Sequence, residues 1–316
     1  MPDELSDCDT YLTDISERDK PWDTHRAASD HVKQLYQQAG YEGYSGRMQQ
    51  CSSLLDFILS ANDIGELLLR LHSAHFCRVR HCPTCQWRRS LMWRAKFFQA
   101  LPKISEEYPT IRWVFLTLTV RNCPLDELRA TLGVMGKAWG RMSRRKVFPV
   151  LGWVRSVEVT RSANGDAHPH YHCLLAVPAS YFGKNYLKQA EWTELWKHAL
   201  RVDYTPVVDV RAVKAKYNRV NKDESVTGLH QAICETLKYT IKESDLTIDA
   251  QWLVELTTQL HNTRAIATGG ILKKFLSDSE PEDLIHVDGV EELPESHDVP
   301  HLQFTWREKV KRYAKK

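Results

Sequence analysis

The sequence predicts an α+β fold, in which an antiparallel sheet is flanked by helices and preceded by a cysteine-rich segment. Three observations support this prediction. Strand-like segments alternate along the chain with segments of helical periodicity. A histidine-rich segment near the middle forms one arm of a predicted β-hairpin. Four of the eight cysteines lie upstream of that hairpin, between residues 45 and 100.

The predicted elements follow one another from residue 111. Residues 111–120 are rich in β-formers and predict a buried strand. Pro124 opens a predicted helix whose apolar residues recur at helical spacing. They are Leu125, Leu128, Leu132, Met135 and Trp139. The later elements are a hairpin over 152–177, a helix near 188–201, a strand near 205–213, and helices over 228–243 and 249–261. We expect the helices to pack on one face of the sheet.

Charge is strongly segregated along the 316 residues, although the net charge is only +3. Residues 1–30 carry a net charge of −6, and we expect them to be mostly disordered. The net charge of +13 on residues 31–277 suits a phosphate backbone as partner. The expected divisions are a flexible acidic N-terminus (1–44), a cysteine-rich segment (45–105), the main domain (106–277), and an acidic linker with a basic tail (278–316).

Several classes of protein are disfavoured by the composition. The sequence contains no apolar run long enough to cross a membrane, and its acidic start is unlike a signal peptide. We therefore expect a cytoplasmic protein with no membrane partner. In that compartment, eight cysteines indicate metal binding or free thiols before disulfides.

The histidine-rich strand predicts a metal site. Side chains alternate along a strand, so His168, His170 and His172 share one face while Tyr171 points to the other. Glu158 lies on the partner strand, where a hairpin loop of odd length would place it opposite the histidine pair. The third ligand is either Glu158 or His168. Two imidazoles and a carboxylate suit Mn²⁺ or Mg²⁺, and zinc or other transition metals would bind too.

The cysteine motif predicts a second metal site. Cys82-Pro-Thr-Cys85 lets two thiolates converge on one tetrahedral ion, and Cys77 lies five residues before it. Because no βαβ pattern surrounds the motif, a redox role is disfavoured and structural Zn²⁺ is favoured. His75 and His81 are the alternative donors for the fourth position.

Basic side chains around the cysteine motif favour nucleic-acid binding. Trp87 and Trp93 lie between arginines whose guanidinium groups suit phosphate, and indoles can stack on bases or pack in a core. A second basic cluster, over residues 141–146, suits phosphate contacts. The candidate DNA-binding residues are Arg78, Arg80, Arg88, Arg89, Arg144 and Arg145.

The predicted helix over 228–243 carries a candidate catalytic face. Its buried stripe is formed by Ile233, Leu237 and Ile241. Glu235, Tyr239 and Lys242 fall on a different face of this helix. There the Tyr239 phenol could act as nucleophile, the Glu235 carboxylate as base and the Lys242 ammonium as electrostatic partner.

Together these segments resemble a known family. Phe-Leu-Thr-Leu-Thr (115–119), the His-hydrophobe-His of 170–172, and Tyr239 with Lys242 occur in the order of the three motifs of HUH endonucleases. The closer similarity, over roughly residues 45–275, is to rolling-circle plasmid replication initiators with a glutamate four residues before the nucleophilic tyrosine. The resemblance implies an HUH-type antiparallel sheet and makes Cys51 the fourth zinc ligand.

The resemblance also implies an activity. It implies metal-dependent nicking of single-stranded origin DNA by Tyr239, which yields a 5′-phosphotyrosine and a free 3′-OH primer, with Glu235 activating water at termination. The partners would be plasmid origin DNA and possible host helicase and polymerase. The alternatives are an HUH transposase or relaxase, and a non-catalytic zinc-dependent DNA-binding regulator. No P-loop motif occurs in the chain.

Overall fold

The computed structural model describes residues 9–61, 67–213, 228–238, 240–276, 283–287 and 300–316. Its α-helices are α1 (Leu12–Ile15), α2 (Lys20–Gln38), α3 (Glu42–Gln49), α4 (Pro83–Glu107), α5 (Leu128–Ser143), α6 (Gln189–Leu200), α7 (Gly228–Thr236), α8 (Glu243–Leu246) and α9 (Ala250–Leu260). Its strands are β1 (Leu54–Ala61), β2 (Leu67–Ala74), β3 (Arg112–Thr119), β4 (Gly152–Arg161), β5 (Ala167–Val177), β6 (Val208–Val213), β7 (Ile266–Gly270), β8 (His301–Arg307) and β9 (Arg312–Lys315).

The chain forms two compact units, and each unit has its own antiparallel sheet. Unit one comprises residues 1–92, 246–254 and 282–316, and its four strands run in the order β2-β1-β8-β9. Unit two comprises residues 93–245 and 255–281, with the order β6-β3-β5-β4-β7. The predicted α+β class, with an antiparallel sheet flanked by helices, is confirmed. Within the described part of the chain, no helix combines the length and apolar character needed to span a membrane.

The hairpin of β4 and β5 forms the centre of the unit-two sheet. Its strands occupy the predicted range of 152–177, and residues 162–166 form the connecting loop. Asn164 and Gly165 are suited to a tight turn, and Gly165 takes the positive φ of +91° that glycine adopts readily. The register pairs Glu158 with His170 and Ser156 with His172. Cross-strand partners share a face, so the predicted position of Glu158 opposite the histidine pair is confirmed.

Helices cover both faces of this sheet. On the face that carries the histidine pair, Phe97 of α4 and Ile233 of α7 join a core with Phe115 and Leu174. On the opposite face, Tyr171 contacts aromatic residues of α5 and α6, with ring centroids 6.4 Å from Trp139 and 6.3 Å from Trp196. The expectation that helices pack on one face is therefore wrong. A five-stranded sheet with apolar side chains on both faces needs cover on both.

The acidic N-terminus is helical where disorder was expected. Residues 12–38 include α1 and the 19-residue α2, and Leu12 and Trp22 are buried. The Trp22 ring meets the Phe57 ring edge-on at 6.3 Å. Asp30 pairs with Arg26 of its own helix at 3.1 Å. The average composition of residues 1–30 does not reveal this amphipathic helix, in which Asp30 forms an ion pair.

The basic C-terminal segment is a β-hairpin and not a free tail. Strand β8 pairs with β1, and β9 pairs with β8. Phe304 and Tyr313 are fully buried, and the Tyr313 hydroxyl donates to the Ser52 carbonyl at 2.6 Å. The alternation of Leu302, Phe304 and Trp306 with polar residues was the signal for a strand, because period two places all three on one face.

Candidate metal centres and catalytic segment

Four cysteines converge in unit one. Cys51 follows α3, Cys77 follows β2, and Cys82 and Cys85 lie at the start of α4. The Cys51 sulfur lies 3.7 Å from that of Cys82 and 3.6 Å from that of Cys85, and the Cys77 and Cys85 sulfurs are 3.6 Å apart. The structure thus brings together all four cysteines that the sequence analysis selected.

The spacing of the four sulfurs fits a tetrahedral ion. Thiolates bound to zinc at about 2.3 Å lie about 3.8 Å apart, which is close to the observed separations. Two backbone N–H groups point at the sulfurs: that of Cys77 donates to Cys51 and that of Val79 donates to Cys77, both at 3.5 Å. Burial raises the pKa of Cys82, but hydrogen bonds with the other thiols and Ser29 outweigh it and hold the pKa well below its usual value. The donor set and its spacing therefore fit zinc.

The two alternative histidine donors lie outside this cluster. His75 is exposed, and its Nδ1 is 3.4 Å from the Gln50 carbonyl oxygen. His81 is buried with neither ring nitrogen hydrogen-bonded. Burial, together with Arg80 and Arg89, lowers the pKa of His81 to about 3, so the ring is neutral.

A second cluster in unit two consists of Glu158, His170 and His172. The Glu158 Oε2 atom lies 3.0 Å from Nε2 of His170 and 2.7 Å from Nε2 of His172. The three side chains are at most 12 % exposed. Ligands at right angles around an ion at about 2.1 Å lie about 3 Å apart, so this spacing fits one shared divalent ion.

Both imidazoles are oriented by contacts at their other ring nitrogen. His170 Nδ1–H donates to the His168 carbonyl at 3.2 Å, and His172 Nδ1 lies 3.3 Å from the Thr117 hydroxyl. A neutral ring that donates from Nδ1 carries a lone pair on Nε2. The Nε2 atoms of both rings face Glu158 Oε2, so a metal ion placed among these three atoms would be bound through Nε2 of each ring.

His168 is not part of the cluster, although its ring centroid lies 5.4 Å from that of His170. Its Nδ1 lies 2.7 Å from the Asn122 side-chain oxygen, and its register partner is Thr160. Of the two candidates for the third ligand, the structure therefore brings Glu158 to the histidine pair.

Lys238 is a site residue that the sequence analysis missed. Its ammonium lies 2.8 Å from Glu158 Oε2 and 2.7 Å from Glu235 Oε1. Burial raises the pKa of Glu158, but contacts with His170, His172 and Lys238 outweigh it, so the pKa lies well below its usual value. Glu158 is thus ionised at neutral pH, and Lys238 supplies a positive charge at the position where a metal ion would bind.

The predicted helix over 228–243 ends early. Helix α7 stops at Thr236, because the chain turns toward β4, where the Val159 N–H donates to the Thr240 carbonyl at 2.9 Å. Lys242 is exposed and lies beyond the helix, so it does not share a helical face with Glu235. Tyr239 lies outside the described residues. Ile233, Leu237 and Ile241 are buried as predicted, but only Ile233 lies within α7, so they do not form a stripe along one helix.

The candidate DNA-binding arginines fall into two groups. Arg88 is buried, and its guanidinium donates to the Leu284 and Ile285 carbonyls at 2.8 Å and lies over the rings of two tryptophans. This placement corrects the expectation that Arg88 contacts DNA, because its donors serve the fold. The others are exposed or half-buried: Arg78, Arg80, Arg89, Arg144 and Arg145.

The two tryptophans beside these arginines pack in cores. Trp87 packs against the unit-one core and stacks on His25 at 4.7 Å. Trp93 packs against the unit-two core.

Comparison with known proteins identifies the family. A family model described as "Replication protein" matches residues 68–314. A "Protein rep" from Streptococcus pneumoniae is 36% identical over 293 residues, which cover 88% of each chain. A "Protein rep" from Lactiplantibacillus plantarum is 39% identical over 73% of this chain and 76% of the relative. A "Replication protein" from Staphylococcus aureus is 33% identical over 67% of this chain and 94% of the relative. No solved structure matches.

The chain therefore belongs to the replication-protein family. The matched region contains three of the four cysteines, the histidine hairpin and the segment around Tyr239. The resemblance to rolling-circle plasmid replication initiators that was recognised from the sequence is confirmed.

Replacement of one cysteine tests the zinc assignment. We expect purified protein to retain about one zinc ion per chain after brief treatment with a chelator, and Cys82→Ser to lose it. The melting temperature of the variant should fall, since the thiolates link α3, β2 and α4. Cys234→Ser is the matched control because Cys234 lies outside the cluster. Equal zinc content in the two variants, measured by elemental analysis, would contradict the assignment.

Replacement of Lys238 tests its contact with Glu158. A divalent ion must displace the ammonium from the carboxylate, so Lys238→Met should bind Mn²⁺ more tightly, by up to about tenfold for one charge-assisted hydrogen bond. Calorimetric titration without DNA measures the affinity. Lys242→Met is the matched control, since Lys242 is exposed, and its affinity should be unchanged. An increase in Mn²⁺ affinity with Lys242→Met and not with Lys238→Met would contradict the contact between Lys238 and Glu158.

Proposed function

We propose that this replication protein is a metal-dependent DNA nickase and strand transferase of the HUH type, which starts rolling-circle replication at a plasmid origin. The observation that carries the proposal is the Glu158–His170–His172 cluster, because it lies beside the segment that contains the candidate nucleophile. Lys238 contacts Glu158, and the Thr240 carbonyl accepts the N–H of Val159. The residues on both sides of Tyr239 are therefore attached to the strand that supplies a metal ligand.

The proposed metal ligands are Glu158, His170 and His172, which would hold Mn²⁺ or Mg²⁺. Such an ion would bind the scissile phosphate and neutralise charge that develops in the transition state. Thr117 and the His168 carbonyl hold the two rings in the orientation that exposes Nε2. The three ligand side chains are largely buried, which limits the water around them and would strengthen their interaction with a bound cation.

Tyr239 is the proposed nucleophile. Its phenolic oxygen would form a bond to phosphorus while the bond from phosphorus to the 3′ oxygen breaks. The phenol loses its proton as it attacks, and the departing oxygen gains one and becomes the 3′-OH primer. A phenol with a pKa near 10 is mostly protonated at neutral pH, so a nearby cation helps it to react. Lys238 is better placed than Lys242 for this role because its ammonium reaches the cluster.

Glu235 is the proposed general base for water at termination. Its side chain is 49% exposed and is linked to the cluster through Lys238. An exposed carboxylate can accept a proton from water without competing with the buried metal ligand. The DNA partner would be single-stranded at the nick site, with the exposed and half-buried arginines as phosphate contacts. A host helicase would separate the strands and a host polymerase would extend the primer.

Removal of the two histidines tests the catalytic metal site. In the presence of Mn²⁺ or Mg²⁺, His170→Ala/His172→Ala should nick a supercoiled plasmid carrying the cognate origin at least about a hundredfold more slowly than the parent protein. Gel analysis of open-circular product measures the rate. His168→Ala is the control from the same strand face and should retain nicking, since His168 contacts Asn122. Full metal-dependent nicking by the double variant would overturn the proposal.

The glutamate and tyrosine have separable roles. Tyr239→Phe should bind origin DNA but form no covalent 5′ adduct, since the phenolic oxygen is lost. Glu235→Ala should still nick, yet should accumulate covalent or over-replicated products because attack by water is slowed. Labelling of the DNA end, followed by denaturing gels, distinguishes these products. A persistent adduct in Tyr239→Phe would place the nucleophile elsewhere, and loss of initial nicking in Glu235→Ala would give Glu235 a role in the first step.

A further inference from the structure

A third group of metal-binding side chains lies on the unit-one sheet, apart from the cysteine cluster. Asp56, His72 and His301 come from β1, β2 and β8, which are neighbouring strands. Their ligand atoms all lie within 4.8 Å of one another. His301 Nδ1 is 3.0 and 3.1 Å from the two carboxylate oxygens of Asp56, and the two imidazole centroids are 4.9 Å apart.

The strand register explains why these side chains meet. Asp56 pairs with Gln303 on one side, so His301 lies diagonally across from it on the same face. On the other side, Asp56 pairs with Ser73 while Phe57 pairs with Leu71, which makes His72 the additional residue of a β-bulge. A bulge redirects a side chain, and here it brings His72 to the polar face beside Asp56.

The composition of this group favours a transition-metal ion. We propose that Asp56, His72 and His301 bind a divalent ion of the zinc class, with water at the remaining positions. Two imidazoles and one carboxylate are ligands that zinc, cobalt and nickel accept, and at the Glu158 cluster it is the phosphate oxygens of bound DNA that would complete the coordination of Mn²⁺ or Mg²⁺. His72 and His301 are exposed, so an ion can enter without rearrangement of the core. Asp56 is mostly buried, with 12 % of its side chain exposed, which keeps the carboxylate in place.

A surface ion pair elsewhere in unit one shows how this three-ligand group differs from an ordinary pairing of aspartate with histidine. Asp283 and His286 also form a surface ion pair, at 2.8 Å, within three residues of each other. They belong to no group of three ligands among the residues that the structure describes. The pair at Asp56 differs by the second imidazole, which supplies the third ligand. Because the three ligands come from three strands, a bound ion would link β2 and the C-terminal hairpin to β1 and stabilise the folded unit.

The test counts bound ions in full-length protein. The background is His170→Ala/His172→Ala, so that the proposed catalytic site does not contribute. Equilibrium dialysis against micromolar Zn²⁺ at pH 7.5 should show one more ion per chain in this background than in the same protein carrying His72→Ala. Removal of one of three ligands should weaken this binding at least about tenfold. Added Zn²⁺ should also raise the melting temperature of the background protein and not that of the His72→Ala protein.

Two further variants decide the outcome. His301→Ala should lose the same ion, and His286→Ala, the matched surface histidine, should retain it. Circular dichroism and the melting temperature in the absence of added Zn²⁺ establish that each variant is folded. Retention of the additional ion by both His72→Ala and His301→Ala, or an equal loss in His286→Ala, would overturn the proposal. The result is independent of nicking because the variants compared differ only in unit one.

Discussion

The register of β4 against β5 is the constraint on which the candidate catalytic centre depends. It places Glu158 opposite His170, and two pairs along the hairpin, on the same face, it places Ser156 opposite His172. Side chains of directly paired residues are about 5 Å apart, close enough for a carboxylate and two imidazoles to share an ion. A slip of one residue would send Glu158 to the other face, where Tyr171 and the tryptophans of α5 and α6 pack. The aromatic packing on that face thus helps to fix the geometry of the polar one.

The face that carries the proposed metal ligands is divided into an apolar end and a polar end. Phe115 and Leu174 belong to the apolar end, where α4 and α7 pack. Two residues further along β3, Thr117 lies at the polar end and contacts His172. Because Leu237 is buried in the same core, the next residue, Lys238, is held at the boundary between the two ends. Hydrophobic packing therefore determines which ammonium reaches Glu158.

Much of the candidate site could be predicted because its signals are local. The period-two pattern and the Asn-Gly loop define the hairpin, and the Cys-x2-Cys spacing defines the core of the cysteine cluster. The end of α7 could not be predicted in the same way, since it depends on a hydrogen bond between Thr240 and Val159, which is 81 residues away in sequence. A helical continuation would have favoured Lys242, whereas the chain that turns toward β4 brings Lys238 to the cluster.

The errors at the two ends of the chain have a common cause. Both segments were predicted from their average charge, and an average does not show the regular spacing of apolar residues within a segment. Trp22 and Tyr36 lie on one buried side of α2, and Phe304 lies on the inward face of β8. A few buried aromatic side chains can order a segment whose average composition is that of a disordered one.

Charge balance distinguishes the cysteine cluster from the histidine cluster, and it bears on the order in which the two proposed sites would bind metal. Lys238 already offsets the charge of Glu158, so the histidine cluster is electrostatically acceptable before any ion arrives. Apart from their contacts with one another, the four cysteine sulfurs have described contacts with backbone N–H groups and the Ser29 hydroxyl, all of which are neutral. Four thiolates there need a cation for balance. In the proposed scheme, zinc is acquired during folding and kept, whereas the catalytic ion exchanges freely. A cell that is short of the catalytic ion would then store folded but idle initiator, ready to act when the ion returns.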